Sequence, residues 1–247
     1  MELERAVFVG TFLGLLDRES LQAVDKLFYS QHVDYRSDAY NLSGLHDWEE
    51  RARQKYFREG GSVLVAAAGG GREAIALESL GYEVTAFECH PDLVEIGNRL
   101  LESEGLETRI AHAPRDECPE FGKRFDGVVF GWGGYMLVQG REQRIRFLRQ
   151  LRLHVEEGTP LLVSFFPRSA ADARHLRRVA AIARRIRRVR RREPVEVGDD
   201  LVPNFVHFFA EDEMRAELHA GGFRMELFSS EEYGHAVAFA ADIPPAG

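Results

Sequence analysis

A short apolar run, SVLVAAA at residues 62–68, runs straight into three consecutive glycines, Gly69, Gly70 and Gly71, and this constrains the chain more than any other feature. Apolar residues without polar alternation over that length suit a strand buried on both faces, as in a parallel sheet covered by helices. Glycines remove side chains where the backbone must turn sharply and approach a ligand. Residues 72–80 then read as a helix with Ala74, Ile75, Leu77 and Leu80 on its packing face, closed by Gly81. YEVTAF at 82–87 reads as the next strand and ends at Glu88, 17 residues beyond Gly71. A helix start offers unpaired amides, and an acid at the tip of the adjacent strand can accept from two ribose hydroxyls. Together they predict an adenosine-ligand pocket at the carboxyl edge of the sheet. Gly69-x-Gly71-x-x-Ala74 also fits the dinucleotide fingerprint, so spacing alone does not separate one adenosine ligand from another.

The alternation continues. Pro91 opens a helix to about residue 101, residues 108–113 are a weak third strand, and 125–130 a fourth. A helix over 141–155 precedes a fifth strand at 160–166. In the tail, NFVHFF at 204–209 is extended, 210–220 is helical, and 223–228 and 235–240 are strands. This order predicts an α/β fold with right-handed crossovers, a Rossmann-like three-layer αβα sandwich with a mainly parallel sheet. Residues 1–60 read as a helical segment and 61–247 as the main domain.

Composition narrows the function classes. The chain has 247 residues, a net charge of -8 and two cysteines, Cys89 and Cys118, without Cys-x-x-Cys spacing. Neither a disulfide framework nor a structural metal site is expected. The apolar run at residues 6–16 is too short to span a bilayer and no cleavage site follows it, so no membrane association is expected and the cytoplasm is the default location. Arginine supplies 29 of the 32 basic residues, and 11 of these lie in residues 168–192 beside one acid, Asp172. There Leu176, Val179, Ile182, Ile186 and Val189 recur at steps of three and four, the stripe of an amphipathic helix. No RNA-binding module accompanies it, so nucleic acid is not the expected partner. On its residues alone this insertion, about 168–195, reads as an amphipathic helix with a solvated arginine face.

From about Gly60 onward the chain resembles the class I S-adenosylmethionine-dependent methyltransferases. VLVAAAGGGREAIALESLGYEVTAFECHPDLVEIGN is similar to that family's first two motifs, FDGVVFGWGGYML to its fourth, and HVEEGTPLLVSFF to its fifth strand with the preceding turn. EDEMRAELHAGGFRMELF resembles its late helix and strand. The resemblance implies a seven-stranded sheet with an antiparallel last strand, and S-adenosyl-L-methionine as cofactor with S-adenosyl-L-homocysteine as product. It places Ala67, Ala68, Gly69, Gly70 and Gly71 against the methionine part, Glu88 on the ribose, and Cys89 and His90 beside the adenine. It also places residues 114–116 around the adenine, and Phe130, Gly131 and Trp132 near the methyl group. It further implies that residues 1–60 cover the cofactor site and that the insertion at about 168–195 is a substrate lid first and a partner surface second. Two positions depart from the family: Val65 stands where an acid is common, and Ala67 replaces the first motif glycine.

Methyl transfer is an in-line displacement whose main demand is alignment of the nucleophile with the methyl carbon. A base is required only if the acceptor arrives protonated. No catalytic residue is therefore assigned; His207, His235 and Tyr135 are candidates, and Tyr135, Tyr233 and His235 are candidates for the acceptor pocket. Trp48, Glu49 and Tyr56 precede the first strand, where packing is the expected role of Trp48. Asp199, Asp200 and Asn204 read as loop solvation. A small-molecule acceptor is the leading expectation. RNA or protein methylation through the arginine-rich helix and NAD(P)-dependent oxidoreduction are the alternatives.

Overall fold

Each backbone element follows from burial. The computed structural model describes residues 2–242; residues 1 and 243–247, the ends of the two expected segments, lie outside the described residues. The N-terminal part is helical as expected, with α1 Glu2–Leu15, α2 Arg18–Gln31, the short α3 Val33–Arg36 and α4 Asp38–Asn41, and α5 Asp47–Tyr56. The body then alternates: β1 Ser62–Ala66, α6 Arg72–Ser79, β2 Glu83–Glu88, α7 Pro91–Ser103, β3 Ile110–His112 and β4 Gly127–Phe130. After a 3-10 turn at Tyr135–Leu137 come α8 Arg141–Arg152, β5 Pro160–Ser164, β6 Phe166–Pro167 and α9 Asp172–Val189. The chain finishes with β7 Asp199–Leu201, β8 Phe205–Phe209, α10 Glu211–Ala220, β9 Phe223–Ser229 and β10 His235–Ala240.

The main sheet has seven strands in the order β3-β2-β1-β4-β5-β10-β9. Strand β1 pairs in parallel with β2 and β4, and β10 runs antiparallel to both β5 and β9. The order reverses between β1 and β4, which leaves a crevice beyond their carboxyl ends. Strand β1 is covered on both faces: Leu64 and Ala66 join one core cluster with Phe147, Leu148 and Leu218, while Val63 and Val65 join another with Ala74, Leu77 and Leu100. Burial on both sides explains the unbroken apolar run.

NFVHFF is extended as expected but lies outside the main sheet, because β8 pairs with β6 and β7 in a separate three-stranded sheet. That sheet also corrects the reading of Asp199 and Asp200 as loop solvation. Both are buried, because both are paired: Asp199 Oδ1 lies 2.7 Å from His207 Nδ1, and Asp200 Oδ2 2.9 Å from Arg5 and 3.2 Å from His175. Asn204 is likewise buried, bonded to Asp25.

Helix α9, Asp172–Val189, is amphipathic and falls inside the expected 168–195 insertion, but none of its residues lines the crevice, so it is not a lid there. It packs instead along α1, with Val179 and Ala183 in a third core cluster beside Ala6, Val9 and Leu13. The two axes approach closely because Gly10 and Gly14 face α9: a Cβ on Gly14 would sit 2.7 Å from Ile186 Cβ. Arg187, Arg190 and Arg192 donate to the carbonyls of Leu13, Leu15 and Leu16 at distances of 2.7–3.1 Å, capping the negative end of α1. Part of the arginine run thus serves a helix terminus. No helix among the described residues is long and apolar enough to cross a membrane.

Candidate active site

The crevice is a partly open hollow of about 100 Å³. Its floor is the β1–α6 turn. Ala67 has φ 54°, Gly69 φ 55° and Gly71 φ 97°, so three left-handed residues reverse the chain within five positions. A side chain at Gly69 would meet nothing within 4 Å, so the backbone is bare toward the hollow. Gly70 and Gly71 serve packing: a Cβ on Gly70 would strike Asn41 at 2.6 Å, and one on Gly71 would crowd Ile110 at 3.2 Å. The methyl of Ala67, where the family's first glycine would stand, faces the bare Cα of Gly134; a Cβ there would lie 2.8 Å away.

Glu88 ends β2 with its carboxylate turned to this loop. Oε2 accepts from Gly69 N at 3.0 Å, while Oε1 accepts from Cys89 N and His90 N at 2.8 Å each. Three backbone donors hold the carboxylate in place before any ligand arrives. His90 Nε2 lies 3.1 Å from the carbonyl of Lys26, which leaves its Nδ1 buried without a partner. Burial pushes the Cys89 thiol well up, with Glu88 adding to the shift, so it is no nucleophile. Burial also raises the Asp116 carboxyl, against the opposing pull of Arg115.

The hollow brings together Ala67, Ala68, Gly69, Gly70, Glu88, Cys89, His90, Phe130 and Trp132, and also Pro114, Arg115 and Asp116. Gly71 and Gly131 stand just behind its wall. A Cβ on Gly131 would lie 2.2 Å from Ala67 O, so its bareness lets the β1 and β4 ends converge.

The acid–base candidates fall elsewhere. Tyr135 is fully buried, and its hydroxyl donates to Glu217 Oε2 at 2.8 Å inside the core. Arg144, also fully buried, grips that carboxylate at 2.6 and 2.9 Å. Neither Tyr135 nor His207 reaches the hollow. His207 is fully buried with both nitrogens committed, Nδ1 to Asp199 at 2.7 Å and Nε2 to Glu213 at 3.1 Å. Both are withdrawn as candidates, because a proton carrier must reach the acceptor. His235 is buried behind the wall, its ring stacked 4.8 Å from that of Trp48 and its Nδ1 2.7 Å from Tyr233 O. The Tyr233 ring leans on Trp132, with centroids 4.8 Å apart, and so backs a lining residue without lining the hollow itself.

Glu196, His207 and Glu213 bring one possible ligand atom each within 4.8 Å of one another. Arg144 already holds Glu196 at 2.7 Å and Arg168 lies 3.3 Å from Glu213, so two guanidiniums balance these acids in an ion network.

Several lining residues were not anticipated. Asp25, Tyr29, Tyr35, Tyr40 and Asn41 come from α2 to α4, and Arg72 and Glu73 from the start of α6. The one signal was compositional: three of the seven tyrosines fall within residues 29–40.

Solved structures resemble this arrangement. A methyltransferase from Methanosarcina mazei described as S-adenosylmethionine-dependent superposes with TM-score 0.63 at 17% identity, covering 80% of this chain and 99% of its own. The fold is that of the S-adenosylmethionine-dependent methyltransferases. The 1,6-didemethyltoxoflavin-N1-methyltransferase of Burkholderia thailandensis, solved with 1,6-didemethyltoxoflavin and S-adenosylhomocysteine, superposes with TM-score 0.64 at 17% identity over 92% of each chain. An amino pentose methyltransferase from Micromonospora echinaspora superposes with TM-score 0.53 at 14% identity, covering 89% of this chain and 97% of its own. No known family's sequence profile and no curated protein matches the chain.

Proposed function

We propose that this chain is a methyltransferase that uses S-adenosyl-L-methionine and methylates a small-molecule acceptor in the cytoplasm. One observation carries the reading. The hollow holding the bare Gly69 turn and the fixed Glu88 is lined by five carboxylates, Asp25, Glu73, Glu88, Asp116 and Glu117, against two guanidiniums, Arg72 and Arg115. Both guanidiniums are already spent, Arg72 on Glu49 and Glu73, Arg115 on Asp25. A dinucleotide's diphosphate would find no free cation there, whereas a sulfonium and an ammonium would find excess negative charge. The nicotinamide alternative is disfavoured on this ground.

The residues fit the cofactor in kind. Glu88 suits the ribose hydroxyls, His90 Nδ1 and the 114–116 segment the adenine, and Gly69 the close backbone approach. When bound, S-adenosylmethionine supplies a methyl group on a positively charged sulfur that departs as a neutral thioether. The chain's own part is placement. Phe130 and Trp132 wall the end of β4, and Trp132, backed by the Tyr233 ring, forms the rim on which an acceptor rests. His235 supports Tyr233 through its main chain. Residues 1–60 act as the cover through α2 to α4, and 61–247 form the binding domain. The arginines of α9 lie away from the hollow, and nothing in the site favours RNA or a protein as acceptor.

Calorimetric titration with S-adenosylhomocysteine and with NAD tests the proposal. Saturable binding of the first and none of the second is expected. Binding of NAD alone would overturn it.

A further inference from the structure

The wall of the hollow contains a buried charge imbalance. Arg72 Nη1 and Nη2 grip Glu49 at 2.6 and 2.7 Å, and Nη2 also bonds Glu73 Oε1 at 2.9 Å. All three side chains are at most 4% exposed. One guanidinium against two carboxylates leaves one negative charge in excess. Burial raises the Glu49 carboxyl, and neighbouring Glu73 adds to the rise. The surrounding groups offer no balancing cation: burial keeps His46 below its ordinary range, and Tyr35 and Tyr40 are held neutral by burial.

Glu73 faces the hollow with half its carboxylate unused. Oε1 accepts from Trp132 N at 2.7 Å as well as from Arg72, whereas Oε2 has no hydrogen-bond partner among the described residues. Nor is Oε2 among the sealed, unpartnered atoms, as Arg72 Nε is. Around it stand aromatic rings: Tyr35 lies 5.6 Å from Tyr40 and 6.0 Å from Trp132 between centroids, and all three line the same hollow. A carboxylate oxygen fixed by an arginine, open on one side and walled by aromatic faces, is a receptor for an ammonium ion.

We infer that Glu73, fixed by Arg72 and Glu49, binds a ligand ammonium inside the Tyr35–Tyr40–Trp132 wall. The ammonium has two possible sources, the amino-acid end of the cofactor or an amine acceptor. Both sources rest on the methyltransferase reading, whereas the ammonium site at Glu73 does not. It also supplies an acid at the pocket where the chain carries Val65 in β1.

The test compares wild type with Glu73→Gln by calorimetry, using three probes. S-adenosylhomocysteine carries the ammonium, methylthioadenosine lacks the amino-acid end, and benzylammonium is titrated onto protein saturated with S-adenosylhomocysteine. If the cofactor is the source, Glu73→Gln weakens S-adenosylhomocysteine 10-fold or more and leaves methylthioadenosine unchanged. If the acceptor is the source, S-adenosylhomocysteine is unchanged and benzylammonium binding is lost. A Glu73→Gln protein that binds all three probes as wild type does overturns the inference. Should Glu73→Gln fail to fold, Tyr35→Leu with Tyr40→Leu reads the same preference from the aromatic side. Should wild type bind neither nucleoside, the cofactor reading fails, and benzylammonium titrated onto the free protein still reads Glu73.

Discussion

The amide of Gly69 donates to Glu88 Oε2 at 3.0 Å, tying the glycine turn to the tip of the neighbouring strand. The turn and the acid are therefore one preformed unit. Replacing Glu88 with Ala removes both the tie and the acceptor for ribose. S-adenosylhomocysteine affinity should fall by about 2–4 kcal/mol, since bonds to a charged group are worth roughly 1.5–3 kcal/mol each and do not add fully. Calorimetry reads this directly, and an unchanged Kd would refute the ribose assignment.

Gly69→Val places a branched side chain in an open direction. Nothing lies within 4 Å of the added Cβ, so the fold survives; the cost is the left-handed φ of 55°. That strain is worth about 1–2 kcal/mol. Circular dichroism should show native secondary structure with a modestly lower Tm, while nucleoside binding disappears. Retained binding would mean that the ligand does not approach this turn.

His207 makes stability depend on pH. Burial and Arg144 both lower its pKa, but the hydrogen bonds to Asp199 and Glu213 outweigh them, and the net shift is upward from 6.5. A raised pKa means that the folded state holds its proton more tightly. The stabilisation is complete below about pH 6.5 and is lost as pH rises through the folded value. Glu213 shows the converse shift, lowered by His207 and Arg168 against burial, so its contribution fades as pH falls through its folded pKa, below 4.5. Melting curves of wild type and His207→Gln should therefore differ most between about pH 5 and 6.5 and converge at higher pH. A gap that stays constant across this range would contradict the assignment.

Gly14→Leu should split α1 from α9. The new Cβ would lie 2.7 Å from Ile186 Cβ and 2.9 Å from its Cδ1, so one helix must move. Overpacking of this kind costs about 1–3 kcal/mol. Since neither helix lines the hollow, S-adenosylhomocysteine affinity should remain at the wild-type value while Tm falls. A parallel loss of affinity would return α9 to the role of a lid.

The parts of the fold written in local periodicity were legible. The β1 run, the glycine turn, Glu88 and the alternation through β5 all reflect burial on a period that a single sequence displays. NFVHFF read correctly as extended, yet its period does not say which sheet it joins. Asp199 and Asp200 read as solvated because their partners, His207, His175 and Arg5, are 8 to 195 positions away. The same blindness hid Asp25, Tyr29, Tyr35 and Tyr40. No glycine turn or motif spacing marks them; only the folding of α2 to α4 over the sheet edge brings them to the hollow. Glu73 is hidden for a different reason, since an acid in the first turn of a helix suits the helix dipole in any fold.

The cover formed by α2 to α4 is clasped largely by charge. Asp25 grips Arg115, Arg36 meets Asp92 at 3.3 Å, and Arg99 holds Asp38 at 2.6 Å. A nucleoside enclosed beneath such clasps must wait for them to part before it leaves. On the proposed function, the tempo at which the spent cofactor escapes is then set by these clasps. Because mobile ions weaken exposed clasps such as Arg99–Asp38, that tempo should quicken with ionic strength, even as the grip on incoming ligand slackens.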